Sequence, residues 1–143
     1  MKRKQLLSFF GMLIALSVLS GSCKKKHDDT SNAVTYNLKG LWVGTITNAT
    51  GSQFYALSIK PDGKITFEGF KNSQEQFGAG TWTLVGSDFS ATVTTLYSFP
   101  GNAGIQQTLT AKFNSATGVL TNGAYVNQPS APDQGTFALT KVN

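Results

Sequence analysis

Between Tyr36 and Val142, apolar and polar residues alternate with period two in short runs, and each run ends in a cluster of turn-forming residues. An amphipathic helix needs apolar residues three or four positions apart. No window of this stretch has that spacing, and strand formers such as Thr, Val and the aromatics dominate it. Eight strands are expected, roughly Tyr36–Asn48, Gln53–Ile59, Lys64–Phe70, Phe77–Leu84, Asp88–Tyr97, Ile105–Phe113, Gly118–Val126 and Gly135–Val142. Lys60-Pro61-Asp62-Gly63, Val85-Gly86-Ser87 and Asn114-Ser115-Ala116-Thr117-Gly118 are among the turns between them. A parallel crossover takes roughly a dozen or more residues. No connection here is that long, so the strands should form an antiparallel meander.

Such a meander can close on itself or fold into a two-sheet sandwich. Closure removes both edge strands and with them the hazard of edge-to-edge association. The expected fold is therefore all-β, an eight-stranded up-and-down barrel over residues 34–143, with the open sandwich as the alternative. Inward candidates are Trp42 and Ile46; Tyr55, Leu57 and Ile59; Ile65 and Phe67; Trp82 and Leu84; Phe89, Val93 and Tyr97; Ile105, Leu109 and Phe113; and Phe137 and Leu139. In the seventh strand Val119 and Leu120 compete for the inward face, and Gly123 marks a candidate bulge. These residues suffice for one core in a single domain.

The N-terminus has a different composition. Met1-Lys2-Arg3-Lys4 is basic, Leu6 to Leu19 is almost wholly apolar, Ser20-Gly21-Ser22 is small, and Cys23 is the only cysteine. Leu6 to Leu19 is shorter than the roughly 20 residues a spanning helix needs. Charge, length, small residues and cysteine together resemble a bacterial lipoprotein signal peptide. The resemblance implies that residues 1–22 are removed and that Cys23, as the new first residue, carries acyl chains holding the protein to the membrane of the cell envelope. Residues 23–33 then form a polar tether with little to bury. Its lysines, Lys24, Lys25 and Lys26, would favour an anionic lipid surface by about 1 kcal/mol each. The run Lys26-His27-Asp28-Asp29 is similar to short charged signals that, in some Gram-negative bacteria, send lipoproteins to the outer face of the outer membrane. A plain solvated spacer is the alternative.

The chain carries 12 Lys and Arg against 7 Asp and Glu. Lys2, Arg3 and Lys4 belong to the signal, and Lys24, Lys25 and Lys26 to the tether. The strand region keeps Lys39, Lys60, Lys64, Lys71, Lys112 and Lys141 against Asp62, Glu68, Glu75, Asp88 and Asp133, which is close to neutral. Nucleic-acid binding calls for a clustered basic face, and these lysines are dispersed.

Asn37-Leu38-Lys39-Gly40-Leu41-Trp42 opens the first strand with a Gly-x-Trp signature that resembles the lipocalins and related calycins. In that group the tryptophan plugs the closed end of the barrel and a basic residue near the end of the last strand crosses it. The resemblance implies barrel closure by Trp42 and Lys141, joined by a cation–π contact. It also implies that function lies at the open end. Tyr55, Trp82, Phe89, Thr95, Tyr97 and Gln107 are the candidates for lining a small hydrophobic or amphipathic ligand there, an apolar pocket with a few orienting polar groups. The alternative is that these aromatics fill the core and the barrel is a protein-interaction, inhibitor-like or structural envelope module, since eight strands enclose just enough space to be filled by side chains.

Catalysis is not expected. The strand region holds no histidine or cysteine to act as base, nucleophile or metal ligand, and its acids lie mainly in turns or at outward positions. No cofactor is expected, and the protein should act as a monomer.

Overall fold

The computed structural model describes residues 35–71, 73–98, 102–128 and 133–142. The expected signal segment, residues 1–22, and the expected tether, residues 23–33 with Cys23, lie wholly outside the described residues. Eight antiparallel strands form one closed barrel: β1 Gly40–Asn48, β2 Gly51–Ile59, β3 Lys64–Lys71, β4 Gln74–Val85, β5 Asp88–Tyr97, β6 Gln106–Asn114, β7 Val119–Gln128 and β8 Gln134–Lys141. Each strand pairs with its neighbours in sequence, and β1 closes on β8 with Trp42 opposite Lys141 and Ile46 opposite Phe137. The open sandwich is excluded.

The interior is apolar. Trp42, Phe89, Leu57, Ile59, Ile65, Leu109 and Val93 are its largest fully buried side chains. Outward positions of β5 and β6 carry Ser90, Thr92, Thr94, Gln106, Thr108, Thr110 and Lys112.

One end of the barrel is closed. Here β1 begins at Gly40, four residues later than the alternation suggests. Asn37 accepts the backbone N–H of Lys39 through its side chain at 2.7 Å, and Tyr36 N–H donates to Ser115 at 2.7 Å, so residues 36–39 lie across the barrel bottom rather than along it. Leu38 is buried there, and its carbonyl accepts the Trp42 indole N–H at 2.7 Å. Trp42 packs edge-to-face on Phe113, with centroids 6.3 Å apart. Lys141 lies beside this plug, but its ammonium donates to the Asn37 carbonyl at 2.5 Å. That hydrogen bond takes the place of the expected cation–π contact.

Two bulges reset which residues face inward. Between β4 and β5, Phe77 pairs with Tyr97 and Gly78 with Thr95, which leaves Leu96 unpaired. Between β6 and β7, Thr110 pairs with Ala124 and Lys112 with Thr121, and Asn122 takes a φ of 54°. An extra residue on one strand flips the parity beyond it. Leu120 is therefore the inward choice at the start of β7, and Gly123 and Tyr125 continue the buried face.

Candidate functional site

The opposite end, the mouth, is ringed by the ends of β1, β3, β5 and β7 and the starts of β2, β4, β6 and β8. Alternation aims Tyr55 of β2, Thr95 of β5 and Gln107 of β6 into it, and all three are buried. The Tyr55 ring stacks on Phe67, with centroids 5.6 Å apart and planes at 24°.

A directional chain of hydrogen bonds crosses the mouth. Tyr55 OH donates to Gln107 Oε1 at 2.5 Å, and Gln107 Nε2 donates to Asn127 Oδ1 at 3.0 Å. Asn127 Nδ2 donates to Asp133 Oδ2 at 3.3 Å. Asp133 Oδ1 also accepts from Asn48 Nδ2 at 2.8 Å and from Tyr125 OH at 3.1 Å. A carboxylate offers acceptors only, so Asp133 is the sink on which the amides and phenols converge. Among the described residues no buried side-chain nitrogen or oxygen lacks a partner.

The two phenols respond electrostatically. Burial raises the Tyr55 pKa well above the ordinary phenol range, and the nearby Tyr125 adds to the effect. Tyr125 is pushed up to about 12, first by burial, then by the Asp133 charge and its hydrogen bond, against a lowering contribution from Asn48. Both phenols stay protonated and donate.

The room left is small. The mouth encloses about 50 Å³ among Ile46, Tyr55, Phe67, Thr95, Gln107, Tyr125 and Asp133. That volume holds a few waters, whereas ligand pockets usually run to about 300–1,000 Å³. The larger hollows are open depressions: one of about 250 Å³ between Phe54, Phe70, Phe77 and Tyr97, a neighbouring one of about 430 Å³ at Gln53, Phe54, Phe70 and Ser73, and one of about 510 Å³ beside Trp82 and Leu84 at the closed end.

Of the six candidate ligand residues, Tyr55, Thr95 and Gln107 come together at the mouth and the other three do not. Phe89 sits at the start of β5 and is buried in the closed half of the barrel. Trp82 is near the same end, half-buried against the core, with its indole N–H donating to the Lys60 carbonyl at 2.9 Å. Tyr97 is 64 % exposed on the outer wall, because the bulge at Leu96 intervenes after Thr95. Phe89 and Trp82 are misplaced for a simpler reason: an up-and-down strand carries its two ends to opposite ends of the barrel.

Tyr125, Asn127, Asn48 and Asp133 were not expected at this site. The β7 bulge reverses the parity that would have hidden Tyr125 and Asn127. Asp133 reads in sequence as a turn acid on the surface, but it gathers three side-chain donors. Its one legible signal is position, since the meander brings the end of β1, the end of β7 and the start of β8 to the same rim. Comparison of the chain with protein-family models, curated proteins and solved structures gave no match.

Proposed function

We propose that this protein is a non-catalytic, lipid-anchored lipoprotein of the cell envelope whose barrel has a filled core and works through its outer surface, as a protein-interaction or structural module. The observation that carries the filled-core reading is the mouth. Tyr55, Phe67 and Tyr125 occupy it and leave about 50 Å³. Admitting a hydrophobic ligand would mean displacing rings that are stacked and hydrogen-bonded to a satisfied network, at a cost of several kcal/mol for orphaned buried polar groups. The anchor reading is supported by the sequence, in which a basic start, a short apolar run and small residues precede the single Cys23.

Native mass spectrometry of the full-length protein released from detergent tests the core. The expected mass is that of the acylated polypeptide alone, with no thermal shift across a panel of lipids and metabolites. A co-purifying small molecule lost in Tyr55→Ala would overturn the filled-core reading. Cys23→Ser tests the anchor, since it should abolish acylation and either release the protein from the membrane fraction or leave it unprocessed.

A small-ligand reading has one observation in its favour, the convergence of hydroxyl, amide and carboxylate groups at the mouth. A ligand there would be polar and limited to a few atoms. The same mass measurement decides between the two readings.

A further inference from the structure

Four aromatic rings and two carboxylates share a groove on the outer wall near the mouth. Phe54, Phe70, Phe77 and Tyr97 come one from each of β2, β3, β4 and β5, and they are 41, 40, 37 and 64 % exposed. Phe54 meets Phe70 edge-to-face with centroids 6.0 Å apart. Strand register sets Glu75 opposite Phe70, and Phe77 between Glu68 and Tyr97. The groove measures about 250 Å³. Neither Glu68 nor Glu75 has an ion-pair partner among the described residues.

Contiguous apolar surface rimmed by charge marks an interaction site. The face of an aromatic ring attracts cations, and adjacent carboxylates reinforce the attraction. A guanidinium suits both, because its plane stacks on a ring while its fork pairs with a carboxylate. A compact, strongly hydrated ammonium does this less well.

We propose that this groove docks an arginine-bearing segment of a partner protein. The proposal rests on the reading that the protein works through its outer surface. Anionic lipid headgroups would be repelled by the same two glutamates. A two-fold contact through this groove would bring two acidic patches together, and juxtaposed like charges oppose association.

The test is fluorescence anisotropy of a labelled peptide of alternating arginine and glycine, titrated with the full-length protein in nonionic micelles against empty micelles as blank. Saturable binding is expected. Glu68→Gln combined with Glu75→Gln should weaken it about tenfold, the combined worth of two exposed ion pairs. Asp88→Asn is the control, since Asp88 lies at the closed end and pairs with Lys112. It should leave binding unchanged, and a citrulline peptide should not bind. Binding untouched by the double variant, or weakened equally by Asp88→Asn, overturns the proposal. Self-association lost in Phe70→Ser would replace it with an interface between copies. Failure here with an empty mouth leaves the outer-surface reading standing, whereas a retained mouth ligand overturns that reading whatever the peptide does.

Discussion

Trp42 and Lys141 stand opposite each other across the β1–β8 seam, and each donates a hydrogen bond to the same short segment, Trp42 to the carbonyl of Leu38 and Lys141 to that of Asn37. The seam and the plug beneath it are therefore one unit. Trp42→Ala should cost about 3–5 kcal/mol, the range for truncating a buried aromatic. Lys141→Ala should cost about 1 kcal/mol. The double variant should fall short of the sum, because either change alone loosens residues 37–38. A denaturant double-mutant cycle measures this, and strict additivity would mean that the two residues act separately.

Tyr55→Phe keeps the ring stacked on Phe67 but deletes the hydroxyl that donates to Gln107. The expected loss is about 1–2 kcal/mol, since the Gln107 carbonyl is left without its buried donor. Gln107→Leu should cost more, because it also strips a donor from Asn127. Urea midpoints of the two variants should rank in that order.

Alkaline pH should destabilise the barrel in a defined window. Tyr125 ionises at about 12 in the folded state against 10.0 for an unperturbed phenol. The folded state thus holds a proton that the unfolded chain releases earlier. Stability from this source is complete below pH 10.0 and falls as pH rises toward about 12. The denaturation midpoint of the wild type should drop over that interval, and Tyr125→Phe should make the drop shallower, leaving the part that buried Tyr55 contributes with the same sign. An unchanged slope in the variant would remove Tyr125 from the account.

A methyl group at Gly78 would come within 2.2 Å of the Phe67 ring and 2.5 Å of the Thr94 carbonyl. Gly78→Ala should therefore cost about 1–3 kcal/mol as overpacking. Gly86 sits at a φ of 61° with open space around it. Gly86→Asn should be nearly neutral, because asparagine visits that conformation readily. Thermal melts of the pair separate crowding from backbone strain.

If the run Lys26-His27-Asp28-Asp29 acts as the surface-export signal it resembles, the barrel should be displayed on the cell exterior. Replacing Lys26, His27, Asp28 and Asp29 with Ala should leave acylation intact and shield the barrel from protease added to whole cells. Equal cleavage before and after replacement would reduce the stretch to a spacer.

Alternation and turn chemistry made the barrel legible, and β5 begins and ends where they place it, at Asp88 and Tyr97. Facing direction was legible only up to each bulge; the one in β7 falls at Asn122 and Gly123, where glycine marked a candidate, and the one at Leu96 carried no such mark. Tyr97 and Tyr125 both lie beyond an unpaired residue whose position depends on how β4 and β6 pair, and cross-strand register is not written in either strand alone. Asp133 was hidden for a related reason. A turn acid and an acceptor at a barrel rim have the same local sequence, and only closure brings Asn48, 85 positions away, into reach.

Tyr36 bonds to Ser115 and Val142 N–H donates to Leu41, so the first and last described stretches of the barrel meet at the closed end. Among the described residues, the mouth and the aromatic wall beside it are reached by the connections between successive strands. A short linker from Val142 to Tyr36 would allow the polypeptide to be opened afresh at a mouth loop such as 49–50. Such a circular permutant would retain every strand pairing, turning the mouth into the site of the new termini and making this architecture a candidate scaffold for insertion of foreign loops.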